Sequence, residues 1–249
     1  MSSAPEGASV VIDLDGVVWL AGEALPGVDV AVRLLRESDH RVIFATNNSS
    51  PTLDTLLKRL DAVGIQAEPD DLVTAAQAAA SAVSIGATAM IIGEAGLHEA
   101  TAVREISEGP AATAVIVGWH RDFTFDLIAS AAQAIRQGAA FIATNDDPTH
   151  PTPSGLLPGT GALVAAIATA AERAPLIAGK PGEAMVALIE SRANDVSLVI
   201  GDRPSTDGAL ATRLGVPFGL VGSEATPAAA AHVELAGERL IDIVSAWLS

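Results

Sequence analysis

Two aspartates separated by one leucine close an apolar run, V-V-I-D-L-D-G-V-V-W from Val10 to Trp19. Alternate side chains of a strand share a face, so Asp13 and Asp15 leave it side by side, close enough to share one ligand. Gly16 then lets the backbone turn tightly beside whatever they hold. A later apolar run, Ser197 to Ile200, ends in G-D-R-P-S-T-D and brings Asp202 and Asp207 to another strand end. A third run, Arg41 to Ala45, ends in T-N-N-S-S-P, where Thr46, Asn47, Asn48 and Ser49 offer neutral hydrogen-bonding groups, and G-K-P sets Lys180 before a helix.

Carboxylates packed together repel one another, and they shift pKa or take up protons unless a cation neutralises them. Oxygen ligands with no histidine or cysteine nearby suit a hard cation, and magnesium typically takes one or two carboxylates with waters and a substrate phosphate. With the neutral groups at 46–49 and the charge of Lys180, the set reads as a phosphate site on an acidic protein. Hydrolysis of a phosphate monoester needs acceleration of up to about 10²¹, whereas general acid and base catalysis supplies roughly 10² to 10⁴. Charge neutralisation is therefore needed, and a covalent nucleophile would supply more. Asp13 is the expected nucleophile, and Asp15 is expected to pass a proton to the leaving oxygen and later take one from water.

What must position these residues is an alternation of strand and helix. Val10 to Ile12 reads as a strand, Gly27 to Glu37 as a helix, Arg41 to Ala45 as a strand, and a helix with Pro51 in its first turn runs through Leu60. This order is the signature of a parallel sheet, whose ligands lie outside the carboxyl ends of the strands. Asp70 and Asp71 are expected to cap a helix running to about Val83 and ended by Gly86. Strands follow at 87–92, 114–117, 140–143, 197–200 and 217–221, and helices at 95–106, 123–136, from about 160, 181–192, 205–213 and 240–248. Thr144 to Pro158 reads as a long polar loop, a length more often functional than not inside a compact domain.

A chain of 249 residues makes one large domain or two modest ones. With 49% apolar and 18% charged residues and no cysteine, neither a disordered chain nor a disulfide scaffold fits, and thiol chemistry and cysteine-ligated zinc are excluded. The net charge of −16, from 30 acidic and 14 basic residues, argues against nucleic acid or an anionic membrane as partner. It would also repel a phosphorylated substrate at long range, so a metal or a local positive group must offset it. The N-terminal M-S-S-A-P-E-G lacks the basic start and apolar run of a signal peptide, which leads to an expectation of the cytoplasm. The uncharged stretch Ala75 to Gly93 reads as a helix followed by a strand, not as a membrane span. G-T-G-A-L-V at 159–164 lacks the third glycine of a dinucleotide fingerprint and follows a loop instead of a strand.

D-L-D-G-V at 13–17, T-N-N at 46–48, G-K-P at 179–181 and G-D-R-P-S-T-D at 201–207 resemble, in order and context, the four motifs of the haloacid dehalogenase (HAD) superfamily. The similarity is greatest to its NagD-like branch, which includes p-nitrophenyl phosphatases, pyridoxal phosphate phosphatases and phosphoglycolate or glycerol phosphate phosphatases. The resemblance implies an α/β fold, with a Rossmann-like HAD core and its parallel sheet from residues 1–86 and 177–249 and a C2-type α/β cap domain at 87–176. It implies a magnesium-dependent phosphatase acting on a small phosphate monoester through an aspartyl phosphate on Asp13, with Asp15 as general acid and base. Thr46, Asn47, Asn48 and Lys180 would bind the phosphate, and Lys180 would serve as charge clamp. Magnesium would be held by Asp13, the backbone carbonyl of Asp15 and Asp202, with Asp207 close by.

In this branch the cap segment resembling A-T-N-D-D-P-T-H-P faces the core and selects the leaving group, which makes Asn145, Asp147 and His150 specificity candidates. Trp19 is another, although core packing explains it as well. The implied partners are a small phosphorylated metabolite and, as in several relatives, a second copy in a homodimer. Two departures stand out. Gly118, Trp119 and His120 replace the branch's G-L-D or G-F-D, so an acidic cap residue is missing and substrate assignments transfer less safely. Pro204 and Gly208 stand where the branch has leucine and isoleucine, which predicts changed packing around retained carboxylates. Alternative readings are a phosphotransferase or phosphomutase of the same superfamily and a phosphometabolite-binding protein without turnover. Dehalogenation is disfavoured, because it needs neither magnesium nor the second aspartate.

Overall fold

The computed structural model describes residues 7–20, 22–109, 111–152, 155–222 and 233–249. The segment 1–6, which carries most of the signal-peptide argument, lies outside the described residues. β1 (Ser9–Ile12) leads into a short hairpin, β2 (Trp19–Leu20) and β3 (Glu23–Ala24), then α1 (Val28–Glu37), β4 (Arg41–Thr46), α2 (Leu53–Ala62) and β5 (Leu72–Thr74). There follow α3 (Ala75–Ser81), β6 (Thr88–Ile92), α4 (Ala95–Val103), β7 (Ser107–Glu108), β8 (Ala114–Val117), α5 (Phe125–Arg136) and β9 (Ala140–Ala143). Next come β10 (Thr149–Thr152), β11 (Gly155–Pro158), α6 (Thr160–Ala171) and β12 (Leu176–Ile177). The chain continues with α7 (Glu183–Arg192), β13 (Val196–Gly201), α8 (Ala209–Leu214), β14 (Phe218–Val221), β15 (Val233–Gly237) and α9 (Leu240–Trp247).

The chain forms two compact units, one of residues 1–46, 54–73 and 186–249, the other of 47–53 and 74–185. In the first, six strands run in the order β15-β14-β13-β1-β4-β5. β1 pairs in parallel with β4 on one side and β13 on the other, and β14 and β15 extend the β13 side in parallel. The chain thus leaves β1 in opposite directions, so the crevice beyond the carboxyl ends of β1 and β13 is a topological switch point. All four residues of β1 are buried, as a sheet covered on both faces requires. α1 turns Val28, Ala31, Val32 and Leu35 inward, and Asp29 and Arg36 complement its dipole.

The second unit holds a sheet in the order β12-β9-β8-β6-β7, all of whose pairings are parallel. Val115, Val117 and Phe141 from its strands pack with Ile135 of α5 and Ile167 of α6 into one apolar cluster. Among the described residues no helix is long and apolar enough to cross a membrane. Ala75 to Gly93 is the helix α3 followed by the strand β6.

Several elements differ from expectation. The cap of α3 is Thr74, whose hydroxyl accepts from Gln77 N while Gln77 Oε1 accepts from Thr74 N, a reciprocal capping box. Asp70 and Asp71 sit earlier, in a 3₁₀ turn before β5, because the buried Leu72–Thr74 strand intervenes. The expected loop 144–158 contains an antiparallel hairpin, in which His150 lies opposite Leu157. β15 was not expected either, and the expected helix at 205–213 opens as a π-helical turn, Pro204–Gly208, before α8.

Candidate active site

Ile12 and Ile200 are partners in the β1–β13 register, and Asp13 N donates to Ile200 O at 2.9 Å. Asp13 and Asp202 therefore leave neighbouring strands at the same end. Asp13, Asp202 and Asp207 each offer one carboxylate oxygen, and these atoms all lie within 4.8 Å of one another. Asp13 and Asp207 are buried and Asp202 is half-buried. The π-helical turn aims Asp207: its N donates to Arg203 O at 2.8 Å, and its Oδ2 accepts from Arg203 N at 3.1 Å. Such turns often occur at functional sites.

Two glycines make the approach possible. Gly16 has φ +94°, and a Cβ there would collide with the Asp202 carboxylate; a Cβ on Gly201 would overlap the Asp207 side chain. Gly208, one of the departures in the fourth motif, lies against the Phe218 ring, where a Cβ would already come within 3.3 Å. A branched side chain would have to displace that ring. The three carboxylates repel one another strongly unless a cation lies among them, and an all-oxygen donor set of this spacing fits a hard divalent ion.

Asp15 is exposed, and its side chain stands outside that group of three. Trp19 Nε1 donates to Asp15 Oδ1 at 3.0 Å, and Thr46 Oγ1 donates to Asp15 Oδ2 at 3.4 Å. The turn is closed by Gly16 N donating to Trp19 O at 2.7 Å and Val18 N donating to Leu14 O at 2.9 Å. Trp19 is buried, so its indole is both packing and a hydrogen-bond donor to Asp15.

The first unit thus holds Asp13, Asp15, Trp19, Thr46, Asp202 and Asp207, and the second holds Asn47, Asn48, Asn145, Asp147, His150 and Lys180. Within the second, Asn47 Oδ1 accepts from Lys180 N at 2.7 Å and Asn47 Nδ2 donates to Lys180 O at 3.2 Å. Lys180 is buried, and its peptide bond to Pro181 is cis. Asn48 Oδ1 accepts from Ser50 N at 3.1 Å. Asn145 is buried; its Nδ2 donates to Asn47 O at 2.8 Å, and its Oδ1 accepts from Asp147 N at 3.1 Å.

His150 lies on β10 with its ring centroid 5.1 Å from that of Trp119, and Trp119 Nε1 donates to Pro158 O at 3.0 Å. His120 Nδ1 is 3.1 Å from Glu94 Oε1, which also accepts from Arg121 N at 3.2 Å. Where the sequence lacks an acidic residue at 120, Glu94 brings a carboxylate to the same loop. Sequence reasoning singled out neither Glu94 nor Trp119 as a site residue. Both follow the carboxyl ends of strands, β6 and β8, a placement that could have marked them.

A family model described as haloacid dehalogenase-like hydrolase matches residues 10–106, and one described as HAD-hydrolase-like matches 177–246. A D-glycerol 3-phosphate phosphatase of Mycobacterium tuberculosis is 38% identical over 227 residues, 87% of this chain and 63% of that protein. The chain therefore spans less than two thirds of that relative's length. A dihydroxyacetone phosphatase of Corynebacterium glutamicum is 36% identical over 211 residues, covering 80% of this chain and 75% of that protein. Among solved structures, glycerol phosphate phosphatase of Mycobacterium tuberculosis in complex with magnesium is similar with a TM-score of 0.83 and 33% identity, over 96% of this chain and 76% of that one. A p-nitrophenyl phosphatase from Archaeoglobus fulgidus has a TM-score of 0.87 at 26% identity, over 97% of this chain and 100% of that one.

Proposed function

Because this chain belongs to the haloacid dehalogenase-like hydrolases, we propose that it hydrolyses a small phosphate monoester, with Asp13 as nucleophile and Asp15 as general acid and base. The observation that carries the reading is the convergence of Asp13, Asp202 and Asp207 oxygens within 4.8 Å at the switch point of the sheet. These carboxylates, with the Asp15 carbonyl, would hold magnesium, the ion found with the Mycobacterium tuberculosis relative. When bound, magnesium supplies charge neutralisation at the phosphoryl oxygens.

The chain's own groups do the rest. An Asp13 oxygen bonds to phosphorus as the ester P–O bond breaks, and Asp15 gives its proton to the leaving oxygen. Water then attacks the aspartyl phosphate, Asp15 takes the water's proton, and the Asp13–phosphate bond breaks to release inorganic phosphate. Trp19 and Thr46, both hydrogen-bonded to Asp15, hold its carboxyl in place. Thr46, Asn47 and Asn48 bind the phosphate and Lys180 offsets its charge.

The names of the relatives favour glycerol phosphate, dihydroxyacetone phosphate or a sugar phosphate over pyridoxal phosphate or phosphoglycolate. Residues 1–86 and 177–249 are the proposed catalytic core and 87–176 the proposed cap, with Asp147 and His150 as its specificity residues. A cytoplasmic location and a homodimer complete the proposal.

A panel of phosphorylated metabolites, assayed with magnesium for phosphate release, tests it. Release of inorganic phosphate in water, abolished in Asp13→Asn, is the expected result. Transfer to a second metabolite without release would make the chain a mutase, and binding without turnover would make it a binding protein.

A further inference from the structure

Asn145 belongs to the segment expected to select the leaving group, yet both polar atoms of its side chain meet backbone. Nδ2 donates to Asn47 O at 2.8 Å and reaches Thr144 Oγ1 at 3.4 Å, while Oδ1 accepts from Asp147 N at 3.1 Å. The residue is 4% exposed, so it presents little surface to any ligand. Asn47 in turn uses both atoms of its amide on the main chain of Lys180, as acceptor at 2.7 Å and donor at 3.2 Å. Gly179 N donates to Thr144 O at 2.8 Å. A Cβ on Gly179 would run into Thr144 O and Asn47 Oδ1, so only glycine lets G-K-P lie this close to the end of β9.

These bonds make one chain of contacts, from the Asp147 backbone through Asn145 and Asn47 to Lys180, and every member lies in the second unit. We propose that Asn145 is a positioning residue that acts through Asn47 to set the backbone of Lys180, and that it does not read the leaving group. The proposal rests on the reading of Lys180 as the phosphate's charge clamp and deepens it. A displacement of about 1 Å in a reacting constellation costs roughly 10²-fold in rate. Removal of Asn145 therefore acts on the phosphoryl group, which all substrates share.

The test is a double-mutant cycle of Asn145→Ala and Lys180→Met, with kcat/KM measured at saturating magnesium on p-nitrophenyl phosphate and on glycerol 3-phosphate. Asn145→Ala is expected to lose about 10 to 100-fold on both substrates, and less than about threefold once Lys180 is already Met, because residues that act as a unit are non-additive. Equal losses in both backgrounds would reduce Asn145 to general stability and overturn the proposal. A loss more than about tenfold greater on one substrate would make it a leaving-group contact and also overturn it. Full turnover in Lys180→Met alone would remove the charge-clamp reading itself, a separate failure visible without any Asn145 variant. If Asn145→Ala does not fold, Asn145→Asp keeps the acceptor for Asp147 N–H, lacks the donor to Asn47, and runs through the same cycle.

Discussion

Trp19 Nε1 donates to Asp15 Oδ1 at 3.0 Å across a turn closed by Gly16, so a buried aromatic residue four positions on from an exposed carboxylate fixes its direction. A hydrogen bond to a charged group contributes roughly 1.5–3 kcal/mol. Trp19→Phe keeps most of the ring's volume and removes the donor, and its kcat is expected to fall about tenfold or more with little change in KM. Steady-state kinetics on p-nitrophenyl phosphate check this, and an unchanged kcat would leave Trp19 with packing alone.

Gly16 sits at φ +94° with no room for a Cβ against Asp202. Gly16→Ala combines a left-handed backbone penalty of about 1–3 kcal/mol with displacement of that carboxylate, and should lower Tm by roughly 2–10 °C. The magnesium concentration for half-maximal activity should rise in the same variant. A Tm loss with unchanged magnesium dependence would confine the effect to the backbone.

Asp13, Asp202 and Asp207 bring three carboxylate oxygens within 4.8 Å of one another. Chelation with EDTA is expected to abolish turnover and added magnesium to restore it. Asp202→Asn should raise the magnesium requirement at least about tenfold. Full activity in excess EDTA would remove the metal from the proposed mechanism.

Arg239 donates to Asp242 through Nη2 at 2.7 Å and through its backbone N at 3.1 Å, tying off the start of α9. The Arg239 hydrogen bond and charge hold the Asp242 carboxyl below its ordinary range. A lowered folded pKa means the contribution is full above the unfolded value of about 3.9 and fades as pH falls through the folded one. Because the pair is exposed, the effect is small. Thermal melts of Asp242→Asn should lie slightly below the parent at neutral pH and converge with it in strong acid; parallel curves across the whole range would argue against the linkage.

The strand ends that carry the carboxylates of the first unit were legible because local signals agreed there. An apolar run ending in D-L-D-G needs only the period of a strand to put two carboxylates at its exit, and the run before Asp202 repeats the signal. The hairpin at 149–158 escaped notice because T-H-P-T and G-L-L-P have neither clean alternation nor apolar bulk, and pairing with each other is what makes them strands. β15, V-E-L-A-G, does alternate, but over five residues only, and its partner β14 supplies the reason it is extended. The expected cap at Asp70 and Asp71 failed for a related reason: the buried L-V-T strand between them and α3 gains its place from the sheet.

What the sequence determined alone is the chemistry: residue types that suit a hard cation and a phosphate, at the ends of strands that local periodicity reveals. Tertiary structure decided their arrangement. Nothing in the order of residues says that Asp207 joins Asp13 while the Asp15 side chain turns to Trp19, or that Asn145 bonds Asn47, 98 positions away. Those distinctions depend on strand order, on glycines without side chains in the way, and on buried polar groups finding partners far along the chain, none of which a local pattern can carry.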